Sequence, residues 1–186
     1  MTADEIAIRP YDPDDEGRVW AIHERATKRV DAFANPDGVD GGVATTPEEH
    51  ARESRRLRRE GVFLVGEVEA SDADELGSET ARTGGESTIV ATGALDPDGG
   101  PAADAAGTAE LTRMRVDPDH WREGYGRAIL EALEREARAA GWTTLVLETL
   151  ARQEAARALY EAAGYEEVDR QVVGEFDVRE YRKSLN

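Results

Sequence analysis

The chain has 186 residues, no cysteine, and 40 acidic against 23 basic side chains, for a formal net charge of −17. That length suits one domain with a substantial core, expected to span 1–186. The missing cysteines exclude disulfides, thiolate metal sites and a cysteine nucleophile, and the dispersed acids exclude a broad basic face for nucleic acid. Lys28 and Lys183 are the only lysines; the other basic residues are arginines. Such a composition fits a salt-adapted, halophilic protein, whose self-repulsion high salt would screen; an acidic protein from an arginine-biased genome is the alternative. With no run of about 18 apolar residues and no signal-peptide pattern, the expected setting is cytoplasmic, away from membranes.

Residues Glu5 to Arg9 alternate as a short strand, and Asp12-Pro13-Asp14-Asp15 supplies an N-cap, a first-turn proline and early acids for a helix. In that helix Val19, Ile22, His23, Ala26 and Val30 share one side, so His23 reads as a packed histidine. The segment Asp31 to Thr45 has three glycines, a proline and no periodicity, and reads as a long loop of the kind that carries substrate contacts. Thr46-Pro47-Glu48-Glu49 is a capping box opening a second helix that runs to about Glu60, where Gly61 ends it. Val62 to Val68 and Thr88 to Leu95 read as strands. The stretch 71–86 between them, with five acids and one arginine, reads as a solvated hairpin insert.

A Gly/Pro/Ala loop from Asp96 to Gly107 leads to the strand Ala109 to Val116, closed by Asp117-Pro118. After it comes HWREGYGRAIL, residues 120–130, with two glycines ahead of a helix. Tyr125, Ile129, Leu133 and Ala137 mark that helix's buried face, and Arg127/Glu131, Glu131/Arg135 and Glu134/Arg138 are i,i+4 pairs expected on its exposed side. Gly141 caps it. A strand from Thr143 to Thr149, a helix from Gln153 to Ala163 capped by Gly164, and strands from Tyr165 to Arg170 and Val178 to Leu185 complete the chain. The expected fold is an α/β sandwich with one mostly antiparallel, mixed sheet and helices on both faces. His50 and His120 lack a second ligand at metal spacing, so both read as surface residues and no metal is expected.

The glycine turn allows three phosphate-binding readings. A P-loop needs GK[ST], where this chain has Gly126-Arg127-Ala128, and a dinucleotide fingerprint needs glycine where Ile129 stands. What remains is a helix N-terminus whose free N–H groups hold a pyrophosphate.

ELTRMRVDPDHWREGYGRAILEALEREARAAG, followed by LVLETLARQEAARALYEAAGYEEV, resembles the core of the GNAT superfamily of acetyl-CoA-dependent N-acetyltransferases over about 60 residues, with both motifs in order. The resemblance implies acetyl transfer from acetyl-CoA directly to a primary amine of a small molecule or protein. The alternative is a non-catalytic CoA-binding sensor or partner-binding module on the same fold. A homodimer is compatible with either; nucleic acid and membrane are not expected partners.

The family's [QR]-x-x-G-x-[GA] loop falls on Trp121 to Gly126, with Trp121 departing from the pattern. By resemblance, backbone groups of Arg122, Glu123, Gly124, Tyr125, Gly126 and Arg127 hold the pyrophosphate, aided by the Arg122 and Arg127 guanidiniums. Met114, Arg115 and Val116 face the pantetheine arm and the acetyl carbonyl. Tyr160, seven residues after Gln153, takes the place of the thiolate-protonating tyrosine, and Gln153 that of an asparagine that contacts pantetheine. Glu148 and Glu110 are the candidate general bases, each of which could instead be a structural partner of Arg113 or Arg115.

Overall fold

The computed structural model describes residues 6–29, 46–69, 87–98, 106–174 and 176–185. The described residues contain strands β1 (Ala7–Pro10), β2 (Val62–Glu69), β3 (Ser87–Asp96), β4 (Thr108–Val116), β5 (Thr144–Leu150), β6 (Glu166–Val173) and β7 (Phe176–Ser184). They also contain helices α1 (Glu16–Arg29), α2 (Pro47–Glu60), α3 (Tyr125–Ala140) and α4 (Glu154–Ala162), in the order the sequence predicts. The expected loop at Asp31 to Thr45, the insert at 71–86 and most of the loop from Asp96 to Gly107 lie outside the described residues.

Local chemistry explains the helix boundaries. Asp12 accepts from the Asp14 N–H at 3.1 Å and donates its own N–H to Asp15 at 2.8 Å. That capping box closes a single 3₁₀ turn, Pro13–Asp15, so α1 starts one turn later than the cap alone suggests. Thr46 Oγ1 accepts from the Glu49 N–H at 3.2 Å, with Pro47 as the first residue of α2. Each such cap stabilises its helix by about 1 kcal/mol.

The strands form one sheet in the order β1-β2-β3-β4-β5-β7-β6, in which only the β4–β5 pair is parallel. Period-two alternation distributes its residues to two cores. Phe63 and Val65 of β2 pack with Tyr11, Val19 and Ile22 and with Leu57 of α2. Leu64, between them, packs on the other face with Ile129, Leu130, Leu133 and Ala137 of α3. A one-residue slip of β2 would exchange those sets between the two cores and mismatch the packing of both, which fixes the register. At the sheet edges, β1 is four residues long and ends on Pro10, while β6 is exposed along nearly its whole length, including Val168 and Val172. No described helix is long and apolar enough to cross a membrane.

Two expectations are corrected here. Glu134 is buried, not on the exposed side of α3: Lys183 of β7 donates to it at 2.6 Å, and Arg138 lies 3.5 Å away. The end of β7 covers this turn of the helix, and Lys183 also lies 5.4 Å from the centre of the Tyr165 ring. His50 is likewise no surface residue, being only 2% exposed. With Ser54 and Leu57 it forms the buried stripe of α2, at spacings of four and three. Its Nδ1 lies 2.7 Å from Glu16, which also accepts from the Tyr11 hydroxyl at 2.6 Å, and its ring lies 4.8 Å from that of His23. His120 is half-buried, 3.1 Å from Glu123.

Candidate active site

The central strands part where the sequence motif begins. β4 and β5 pair only at Thr108↔Thr144, Ala109↔Leu145 and Glu110↔Val146, yet β4 continues to Val116 and β5 to Leu150. Two neighbouring parallel strands that stop pairing leave a wedge-shaped opening edged by main-chain groups of both. The candidate site lies in this opening and at the turn that follows β4.

A bulge re-aims the β4 half of the opening. Thr92 faces Arg115 and Ala94 faces Thr112, so the single residue Gly93 stands opposite both Arg113 and Met114. Arg113 has φ 56, a strained value for a side-chain-bearing residue, and its carbonyl accepts from Thr92 Oγ1 at 2.9 Å. The extra residue resets the alternation. Ala109 and Leu111 pack against the α3 core before the bulge, and Met114 and Val116 do so after it. Gly93 makes this possible: a Cβ there would come within 2.6 Å of Ile129 and 2.8 Å of the Met114 sulfur. Without the bulge, Arg115 would be turned toward that apolar core, where a guanidinium is costly to bury.

Beyond β4 the chain makes a tight, fixed turn. Asp117 donates its N–H to Val90 O at 2.8 Å, accepts from the Asp119 N–H at 3.1 Å, and accepts at its carbonyl from the His120 N–H at 2.8 Å. Trp121 turns its indole N–H back to Val116 O at 2.8 Å, and the residue stays 41% exposed. Its departure from the family pattern therefore supplies a hydrogen bond that holds the turn to the strand. Arg122 has φ 69 and Gly124 φ 90, and α3 begins at Tyr125 without a side-chain cap. The first N–H groups of α3, from Tyr125 to Arg127, lie ahead of the i→i−4 ladder and carry the positive dipole end of the helix. Gly124 is demanded by its left-handed backbone. Gly126 is not: a Cβ there would meet Leu159 and Val116 at an ordinary 3.5 Å. Arg122 and Arg127 are both exposed.

The candidate side chains occupy two faces. On the face of β4 and β5 away from α3, Glu110 lies in the last paired row, and Glu148 lies two residues past Val146, where the strands have separated. Glu148 is half-buried and directly opposite Glu180 of β7. On the other face Tyr160 of α4 is 7% exposed and packs in the larger core, with its ring 5.9 Å from Tyr165 and 6.4 Å from Tyr181. Gln153, just before α4, accepts from Thr149 Oγ1 at 2.6 Å and from the Leu150 N–H at 3.1 Å. Its carbonyl oxygen thus closes the end of β5, and only its NH₂ end remains for a ligand contact.

The sequence reading missed Arg25 of α1. It donates to Asp117 at 2.8 Å and to Asp119 at 2.5 Å, across sequence separations of 92 and 94 residues. No spacing rule connects residues so far apart.

The chain also matches known proteins. A model of the Acetyltransferase (GNAT) family matches residues 43–165. Over 59 residues, 32% of this chain and 40% of the relative, it is 49% identical to [Ribosomal protein bS18]-alanine N-acetyltransferase of Escherichia coli strain K12. Over 160 residues, 86% of this chain and 40% of the relative, it is 29% identical to mycothiol acetyltransferase of Cellulomonas flavigena. The alignments thus span 40% of the length of both curated relatives. Among solved structures, yncA from Salmonella typhimurium, a putative acetyltransferase with its cofactor acetyl-CoA, superposes with a TM-score of 0.67 at 20% identity, covering 98% of this chain and 95% of that one. At that identity the likeness shows the fold.

Proposed function

The chain belongs to the Acetyltransferase (GNAT) family, and from that premise we propose that it is an N-acetyltransferase that passes acetyl from acetyl-CoA directly to a primary amine. One observation carries the reading: β4 parts from β5 after Glu110↔Val146, and the end of β4 at Val116 leads within nine residues to the start of α3, which has no side-chain cap. An opening with main-chain donors, followed by a helix end suited to anions, matches a thioester whose carbonyl must be polarised at one end and whose pyrophosphate must be held at the other.

In this mechanism the backbone N–H groups from Arg122 to Arg127 and the two exposed guanidiniums hold the pyrophosphate. The segment Met114 to Val116 lies along the pantetheine arm, and its main-chain donors stabilise the oxyanion that forms as the amine attacks. Glu148 accepts the amine proton, directly or through a water. Its place beyond the last paired row favours it over Glu110, which lies within that row. Tyr160 donates to the departing thiolate. A phenol with a pKa near 10 can do so only beside the forming thiolate, so its buried, fixed ring suits the role. The dispersed surface acids suit a protein working at high salt, where backbone donors hold phosphate better than screened charges do.

The acceptor is either a protein α-amine, as the name of the E. coli relative suggests, or a small amine. The test is CoA titration of wild type and Tyr160→Phe, together with acetyl-CoA turnover on a panel holding an alanine-terminated peptide and small primary amines, at low and molar salt. The expected result is equal CoA affinity with turnover reduced about 100-fold in the variant. CoA binding by wild type with no turnover of any amine would instead support a non-catalytic CoA-binding module.

A further inference from the structure

Arg25 is anchored in α1, on the sheet face away from α3, yet its guanidinium reaches the turn that leads into α3. One nitrogen bonds Asp117 at 2.8 Å and another bonds Asp119 at 2.5 Å. The partners differ in character: the Asp117 side chain is 7% exposed and that of Asp119 76%. Asp117 organises the turn, since its other carboxylate oxygen receives the Asp119 N–H and its main chain binds both Val90 and His120. The two left-handed residues, Arg122 and Gly124, and the start of α3, which has no side-chain cap, follow within eight residues.

This arrangement has an electrostatic consequence as well as a geometric one. Asp117, Asp119 and Glu123 are three carboxylates within eight residues of a helix end read as an anion site. Left uncompensated, they would repel a pyrophosphate approaching the same turn. A guanidinium can bridge two carboxylates with separate, directed N–H bonds, whereas a lysine ammonium acts as one point charge.

We infer that Arg25 is a positioning residue for the cosubstrate. Acting through Asp117 and Asp119, it fixes the pyrophosphate turn and neutralises the acids beside it, so that the helix on the opposite sheet face helps set acetyl-CoA affinity. The inference rests on the acetyltransferase reading above.

The test compares wild type, Arg25→Gln, Arg25→Lys and Asp119→Asn with two thioesters: acetyl-CoA, and S-acetylpantetheine, which has no pyrophosphate. Arg25→Gln is expected to raise the acetyl-CoA KM and the CoA Kd about tenfold, with kcat kept within about twofold. The KM for S-acetylpantetheine should stay unchanged. Arg25→Lys should recover part of the affinity, and Asp119→Asn, which removes only the exposed half of the bridge, should lose less than Arg25→Gln. An unchanged CoA Kd in Arg25→Gln, or an equal loss for both thioesters, overturns the inference. Failure of wild type to bind CoA would instead overturn the acetyltransferase reading itself.

Discussion

The glycine turn and the α1–α2 pair lie on opposite sides of one sheet and are held in shape by different means. From Arg113 to Gly126 the main chain does the shaping, through a bulge, left-handed residues at 113, 122 and 124, and a helix end without a side-chain cap. Between α1 and α2 the side chains do it, with Glu16 joined to His50 and Tyr11, and Trp20 and His23 packed around the His50 ring. A site made by main chain requires particular residues at fixed spacing and so leaves a motif. A site made by side chains requires only that distant positions meet, and no motif records it.

Apart from Arg25, whose bridge to Asp117 and Asp119 joins the two sides, mutations on either side should have separable effects. The largest is expected at Gly124, where valine would have to adopt φ 90. Gly124→Val should weaken CoA binding about 100-fold by calorimetry, as expected for a bulky residue forced into that region, and should move the melting temperature less than His50→Ala does. His50→Ala is expected to do the reverse. Removing the buried partner of Glu16 should cost about 2 kcal/mol of stability, a fall of roughly 4–8 °C in melting temperature, with CoA affinity unchanged. A large loss of CoA affinity in His50→Ala would break the division.

The smallest effect concerns pH. Burial pushes the Glu16 carboxyl up, but hydrogen bonds from His50, Tyr11 and Ser54 outweigh it and hold the group below the ordinary carboxylate range. A carboxyl depressed in the folded state contributes stability above its unfolded pKa, about 4.3, and that contribution is lost as pH falls through the folded value. Urea midpoints should therefore fall below about pH 4.3, and Glu16→Gln should flatten that decline. An unchanged slope in the variant would assign the acid sensitivity to other groups, such as Asp15, which Arg9 holds below its ordinary range.

The same division explains what the sequence disclosed. Strand and helix order were legible because alternation, caps and glycine stops act within a few residues. The turn was legible down to Trp121, although the purpose of that residue emerged only from its bond to Val116. The burial of Glu134 and His50 was not legible, because their partners Lys183 and Glu16 lie 49 and 34 residues away. The His50-Ser54-Leu57 stripe was visible but polar, so it did not register as a core face. Arg25 gave no signal at all, since an exposed-looking helix arginine gains meaning only from two aspartates on the far side of the chain.

The edges of the sheet bear on how copies of the protein can meet. Strands at an edge invite further strands, and sheets can grow into fibres through them. Here β6 offers Glu166, Glu167 and Asp169 along a bulged ladder, and β1 is short and ends on proline. Among the described residues, β1 is guarded by its shortness and its proline, and β6 by its bulge and its exposed acids; the second guard, unlike the first, weakens as salt screens charge.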